Sequence, residues 1–225
     1  LLKPSLTEEQ IARFAVNQYK YPSLDVRPYF KRNYLYGEAM TNILGYVGRI
    51  NDRDVERLKK EEKFANYSGS TDMGKLGIER YYEEQLHGTT GFEEVEINNR
   101  GKVIRKLREQ PATAGKSIHL TIDFTLQRFI MSLLSGQKGA VVVLDPKDNS
   151  VLAMVSTPSY DNNLFVDGIS SSDYKRLLED PTRPLYSRAT QGVYPPASTV
   201  KPFVAVAALT EGVITPNTTI FDPGY

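Results

Sequence analysis

The stretch Tyr194-Pro-Pro-Ala-Ser-Thr-Val-Lys-Pro-Phe203 sets a serine and a lysine three residues apart, at the entry of the apolar run Phe203-Val-Ala-Val-Ala-Ala-Leu209. On a helix, residues i and i+3 share a face, so the spacing brings Ser198 Oγ and Lys201 Nζ toward one another. A serine hydroxyl is a weak nucleophile at neutral pH and needs an adjacent base. A lysine fills that role when desolvation and the positive end of a helix dipole favour its neutral form. The other reading of Ser198 is a plain helix N-cap, and the local pattern leaves both open. Gly212 is the stop signal of the expected buried helix. Pro202 removes a backbone donor near the first turn, so a bend is expected there.

Working outward, the same Ser-x-x-Lys spacing occurs at Ser135-Gly-Gln-Lys138 and at Ser172-Asp-Tyr-Lys175. Ser135 stands just before Gly136, at the end of a predicted helix, and reads as a C-terminal turn. Ser172 lies in the polar cluster Ser170-Ser-Ser-Asp-Tyr-Lys-Arg176 and reads as a solvated helix start. Only Ser198 has a rigid Pro195-Pro196 approach and an apolar helix behind it.

The whole chain has 225 residues, enough for one large domain or two small ones. With 28 basic and 27 acidic side chains the net charge is +1, which implies no strongly charged partner. Basic residues cluster from Arg100 to Arg108, and the reading there is a solvated strand edge; no motif points to nucleic acid. There is no cysteine, so disulfides and thiolate metal sites within the chain are excluded. His87 and His119 are the only histidines, one in a turn and one in a strand-like alternation, and both read as structural. Lysine is therefore the more plausible base for serine chemistry. No run of about 18 apolar residues marks a membrane span. The chain opens on Leu1 and stops at Tyr225 after Asp-Pro-Gly, so it is expected to be an internal piece of a longer protein.

Along the chain, Thr7 caps a helix running to Gln18. Leu24–Tyr36, interrupted by Pro28, is expected to be irregular or in short strands. Ala39–Gly48 predicts a short helix leading into a strand, and Asn51–Lys63 an exposed helix anchored by Val55 and Leu58. Asn66–Gly77 is turn-rich, and Ile78–Leu86 predicts one helix. Phe92–Asn98 and Lys102–Leu107, joined by Asn98-Asn-Arg-Gly101, predict a hairpin. Pro111–Gly115 is the best domain boundary. Beyond it come a strand at Ile118–Ile122, a helix capped by Asp123, a buried strand at Gly139–Leu144, a turn at Asp145–Asn149 and a returning strand at Val151–Ser156. The fold class is α+β, an antiparallel sheet with flanking helices.

Several of these segments together resemble the class B penicillin-binding proteins, in particular the elongation-specific branch of Gram-negative bacteria. In the first half the resemblance rests on Asn42-Ile-Leu-Gly-Tyr-Val-Gly48, on Gly77-Ile-Glu-Arg-Tyr-Tyr-Glu-Glu-Gln-Leu-His-Gly-Thr-Thr-Gly91 and on Glu94–Arg105. In the second it rests on Leu120-Thr-Ile-Asp-Phe-Thr-Leu-Gln127, Gly139–Pro146, Ser156–Phe165 and Arg188–Phe203. It implies a non-catalytic pedestal, or dimerisation, domain over residues 1–113 and the N-terminal portion of a transpeptidase domain over 114–225.

By this resemblance Ser198 is the acylated nucleophile, Lys201 its general base, and the Ser198 N–H one oxyanion donor. The implied reaction cross-links peptidoglycan stem peptides ending in D-Ala-D-Ala through an acyl-serine, without a cofactor, and is trapped by β-lactams. The implied partner is a SEDS-family glycan polymerase of the RodA type within the elongation machinery. The implied location is the inner membrane, through an N-terminal helix, with this part in the periplasm. The family usually has Gly where this chain has Ala197; if that position needs an unusual backbone angle, Ala is strained there. The family's Ser-x-Asn and Lys-Thr/Ser-Gly elements do not occur here. Rival expectations are a β-lactamase or β-lactam sensor, which has no need of residues 1–113, and a non-catalytic module that docks to the polymerase. Some elongation-specific relatives carry zinc just beyond the nucleophile helix. Asp222, which also suits an Asp-Pro-Gly turn, is the candidate ligand here, with its co-ligands expected past Tyr225.

Overall fold

The computed structural model describes residues 2–3, 5–26, 29–99 and 103–224. Leu1, Pro28, Arg100, Gly101, Lys102 and Tyr225, all named above, lie outside the described residues. Two compact units result, Leu1–Thr190 and Gln191–Tyr225.

In the first unit, α1 (Glu8–Asn17) starts where the sequence places it. Thr7 Oγ1 accepts from Gln10 N at 3.3 Å, and the Gln10 side chain accepts from Thr7 N at 3.2 Å, closing a capping box. Residues 29–36 form no helix or strand. Then α2 (Thr41–Leu44) leads through Gly45 into β1 (Val47–Arg49). α3 (Asp52–Lys60) is capped by Asn51 and buries Leu58 against Tyr67 of α4 (Phe64–Tyr67) and Met73 of β2 (Asp72–Gly74). β2 lies inside the stretch expected to be turn-rich. It pairs antiparallel with β1, from Val47↔Gly74 to Arg49↔Asp72. Three residues hold too little alternation to announce a strand, and a partner distant in sequence makes it one.

The helix expected over 78–86 is two, α5 (Gly77–Tyr81) and α6 (Glu83–His87). Tyr82, at φ −104° and ψ 21°, breaks it, and Glu83 turns its carboxylate to accept from Gly74 N at 2.8 Å. β3 (Phe92–Ile97) and β4 (Val103–Gln110) form the expected hairpin, with two register shifts. Arg105 and Lys106 pair with Glu96 and Glu93, each at 2.6 Å, on an exposed strand, the solvated-edge reading of this cluster. At the hairpin's root Thr89 and Thr113 exchange two backbone bonds of 2.9 Å, and Lys116 N donates to Gln85 O at 2.7 Å.

Residues 118–122 are not a strand. They touch the start of the following hairpin through Thr121 Oγ1 to Val151 O at 2.7 Å, and Asp123 N reaches Leu152 O at 2.8 Å, without a ladder. α7 (Phe124–Leu133) is capped by Asp123, whose Oδ1 accepts from Leu126 N at 3.0 Å. β5 (Gly139–Leu144) and β6 (Val151–Thr157) pair antiparallel. Ile130 of α7 packs on Ala153 and Val155 of β6. β5 is a strand as expected but not a buried one: Val142 is 46% and Leu144 50% exposed, because α7 covers one face only. α8 (Ser171–Glu179), capped by Ser170, brings Leu177 onto Tyr160 and Phe165.

Residues 34–45 are joined to residues 127–163 by buried polar side chains. Gln127 Nε2 donates to Ala39 O at 2.8 Å and Met154 O at 2.9 Å, while its Oε1 accepts from Met154 N at 2.8 Å. Thr41 Oγ1 donates to Tyr160 O at 2.7 Å, and Asn162 Nδ2 to Gly45 O at 2.7 Å. Asn163 bonds both the N–H and the C=O of Tyr34, each at 2.9 Å. α9 (Arg188–Gln191) follows. Arg188 N donates to the buried Ser156 Oγ at 2.8 Å, and its guanidinium reaches Thr182 O at 2.5 Å. The second unit holds α10 (Lys201–Thr210), which leaves no residue buried; the expectation of a buried helix does not hold within the described residues.

Candidate active site

The Tyr194–Phe203 segment is built by its prolines. Pro196 is right-handed, at φ −70° and ψ −19°. Ala197 then stands at φ +47°, in the left-handed region. A 3₁₀ turn over Ala197–Val200 follows and runs directly into α10. In an α-helix the Ser198 carbonyl would accept from the N–H of residue 202, but Pro202 has none. It accepts from Lys201 N instead, the 3₁₀ pattern. Pro202 therefore tightens the first turn, and the kink its position suggests is replaced by a change of pitch. With three residues per turn, side chains at i and i+3 eclipse, so Ser198 and Lys201 stand one above the other. The pairing read from spacing alone acquires a geometric cause one residue further on.

Thr199 N donates to Pro196 O at 3.1 Å, and Thr199 Oγ1 shares that carbonyl. Ser198 and Lys201 are both exposed. Among the described residues nothing desolvates the lysine as a general base requires. What the segment provides is a hydroxyl and an amine three residues apart at the start of a helix.

The competing serines fall where the sequence places them. Ser135 lies in the turn after α7, and Ser172 in the first turn of α8, where its hydroxyl lies 3.0 Å from Ser170 Oγ. His87 stacks on Tyr67 with ring centroids 4.1 Å apart, and its Nε2 lies 2.7 Å from Ser70 Oγ, beside the root of the β3–β4 hairpin. His119 is exposed and outside any strand, contrary to the alternation that suggested one. Asp222 Oδ1 accepts from Gly224 N at 2.9 Å, a turn-forming bond. Among the described residues no group of three or more His, Cys, Asp or Glu is placed to hold a metal. A single carboxylate does not fit a four-ligand zinc site.

Two buried polar features escape sequence reading. The buried polar seam of Gln127, Thr41 and Asn162 has no periodic signal, because its partners are backbone groups distant in sequence. Glu79, 6% exposed, accepts from Arg32 Nε at 2.8 Å and from Tyr34 OH at 3.1 Å; Tyr34 OH in turn accepts from Val47 N at 2.8 Å. Burial pushes the Glu79 carboxyl above its ordinary range, against the pull of Arg32 and Tyr34.

Comparison with known proteins bears on both halves. Residues 1–120 match the penicillin-binding protein dimerisation domain, and residues 139–225 match the penicillin-binding protein transpeptidase domain. The chain is 82% identical over its full length to the peptidoglycan D,D-transpeptidase MrdA of Haemophilus influenzae, of which it covers 35%. It is similar to the crystal structure of Pseudomonas aeruginosa PBP2 in complex with WCK 5153, with 45% identity, a TM-score of 0.69, and 89% of this chain and 39% of that one covered. It is also similar to a complex between PBP2 and MreC from Helicobacter pylori, with 28% identity, a TM-score of 0.80, and 96% of this chain and 39% of that one covered. The chain thus spans about a third of the curated relative it matches. With more than half of its length in the dimerisation domain and the rest of the match in the transpeptidase domain, this chain belongs to the penicillin-binding protein family.

Proposed function

We propose that the protein containing this chain is a serine-type peptidoglycan D,D-transpeptidase of cell elongation, with Ser198 as nucleophile and Lys201 as general base. The observation that carries the reading is the Ser198-x-x-Lys201 spacing on the turn that enters α10, inside the segment that matches the transpeptidase domain. Ser198 Oγ attacks the penultimate carbonyl of a stem peptide ending in D-Ala-D-Ala. Lys201 takes the hydroxyl proton, terminal D-alanine leaves, and an amine of a neighbouring stem accepts the acyl group. The Ser198 N–H supplies one oxyanion donor, a contribution of a few kcal/mol in the transition state. β-Lactams acylate the same serine. The chemistry requires no cofactor, and Asp222 takes part in a zinc site only if the chain past Tyr225 supplies the other ligands.

Residues 1–113 form the pedestal and 114–225 the opening of the transpeptidase domain; the end of the first matched family model at residue 120 supports this division. The pedestal docks to the elongation machinery, a reading supported by the likeness to the Helicobacter pylori complex with MreC. A RodA-type polymerase is the further partner. The protein is held in the inner membrane by a segment outside this chain, with these domains in the periplasm; among the described residues no helix is long and apolar enough to cross a membrane.

The test is to label the full-length protein with a fluorescent penicillin and map the modified peptide by mass spectrometry. Label on Ser198, abolished in Ser198→Ala with the melting temperature retained, is the expected result. Label on Ser135 or Ser172, or on no serine, rejects the assignment. Rapid turnover of a chromogenic cephalosporin in place of stoichiometric acylation would identify a β-lactamase instead.

A further inference from the structure

We propose that Ala197 is a positioning residue: its left-handed backbone sets the start of the turn one residue before Ser198 and thereby keeps the Ser198 N–H unbonded for the developing oxyanion. The inference rests on the acyl-serine reading above and adds to it the residue that prepares the donor.

The argument starts from the neighbours. Pro196 and Val200 are both right-handed, the latter at φ −80° and ψ −19°, and α10 continues from Lys201. Between them Ala197 alone has a positive φ. Were it right-handed too, residues 196–201 would form one continuous helical turn. The Ser198 N–H would then be drawn to the carbonyl of Pro195, the i−3 acceptor of 3₁₀ geometry. With Ala197 at φ +47°, the first bond of the turn is Thr199 N to Pro196 O at 3.1 Å, and no backbone carbonyl among the described residues accepts from Ser198 N. The reversal of one residue frees one donor, and that donor belongs to the nucleophile.

A left-handed alanine is uncommon. Asparagine and aspartate offset that conformation with a local hydrogen bond from the side chain; alanine has none to offer. The conformation is therefore imposed from both sides, by the rigid Pro195-Pro196 approach and by the turn that Pro202 tightens. A glycine would hold the same angle but populate positive and negative φ about equally when released. Alanine keeps the segment in the state its neighbours dictate.

The test compares Ala197→Gly, Ala197→Asn and Ala197→Val in the full-length protein. Saturation kinetics with a fluorescent penicillin separate the acylation rate constant from the half-saturating concentration, and thermal melting reports the fold. Gly and Asn accept the left-handed region and are expected to acylate within about threefold of wild type; Val opposes it and is expected to lose about tenfold or more in the rate constant. The half-saturating concentration should not move. A merely structural role for Ala197 would lower the amplitude of labelling and leave the rate of the surviving fraction unchanged. Val acylating at the wild-type rate overturns the proposal. If Val does not fold, Asn and Gly decide it: retention of rate in both supports it, and a tenfold loss in either with melting unchanged overturns it. Absence of label on Ser198 in the wild type overturns the acyl-serine reading and this inference with it.

Discussion

Gly45 offers a sharp test of how the first unit is held together. Its φ is +72° and its ψ −144°, a region essentially reserved for glycine. A Cβ built there would lie 2.0 Å from Leu76 O and 2.3 Å from Leu76 C, both backbone atoms. Its own N–H donates to Thr41 O at 2.8 Å and its C=O accepts from Asn162 Nδ2 at 2.7 Å, so the residue is fixed on both sides. Gly45→Ala meets a conformational cost of about 1–3 kcal/mol and an overpacking cost of about 1–3 kcal/mol. Reduced unfolded-state entropy offsets about 0.4–1 kcal/mol of this. The net loss is about 1–5.5 kcal/mol, or roughly 2–20 °C in melting temperature for a folding unit of this size.

Two controls separate the contributions. Gly136 has φ +74° and no atom within 4 Å of the place a Cβ would take, so Gly136→Ala meets the conformational cost alone, a net loss of about 1 kcal/mol. Gly69 has open space and no positive φ, so Gly69→Ala should be neutral or stabilising by up to about 1 kcal/mol. Scanning calorimetry of the three variants in the full-length protein orders them. If Gly45→Ala loses no more than Gly136→Ala, the close approach of the Gly45 and Leu76 backbones is not what stabilises this joint.

Gln127→Ala strands three backbone groups, Ala39 O, Met154 O and Met154 N. The expected loss is about 2–4 kcal/mol by chemical denaturation; a loss below about 0.5 kcal/mol would show that water replaces the side chain without cost. Asp54 links stability to acid pH. Burial pushes its carboxyl up, but hydrogen bonds from Lys75 and the Asn51 backbone, with the charges of Lys75 and Arg57, outweigh this and hold it below the ordinary 3.8. Its stabilising contribution is therefore full above about pH 3.8 and fades as pH falls through the lower, folded-state value. Asp54→Asn should be less stable at neutral pH and show a flatter acid limb in melting temperature against pH; an unchanged acid limb would remove Asp54 from the account. Pro202→Ala restores the missing N–H and should relax the 3₁₀ turn to α geometry, shifting Lys201 from above Ser198 to the offset i+3 position of an α-helix. Acylation of the full-length protein should slow by about tenfold with melting unchanged, and an unchanged acylation rate would separate the proline from the alignment.

Local chemistry was legible in the sequence where one residue decides an element. Thr7, Asn51, Asp123 and Ser170 each cap the helix that follows, because a short polar side chain one step ahead of a periodic run satisfies an otherwise unbonded N–H. The β3–β4 and β5–β6 hairpins follow from alternation around turn residues, and the serine–lysine pair follows from spacing. The question that Ala197 posed was also visible beforehand, as a side chain where the family usually has none; the angle that answers it was not.

What only the tertiary structure decided is everything whose partner lies far along the chain. β2 is a strand because β1 offers it a ladder across some two dozen residues, and residues 118–122 are not one because only scattered bonds reach them. Gln127, Thr41 and Asn162 are buried polar side chains because the backbone of another segment meets each of them, a condition that no periodicity encodes. The sequence by itself determined the three-residue spacing of Ser198 and Lys201 and the prolines around it, since three successive peptide units fix that local geometry. The left-handed Ala197 was decided by the conflict between a proline-locked approach and a helix behind it, and such a conflict is resolved only when both are folded.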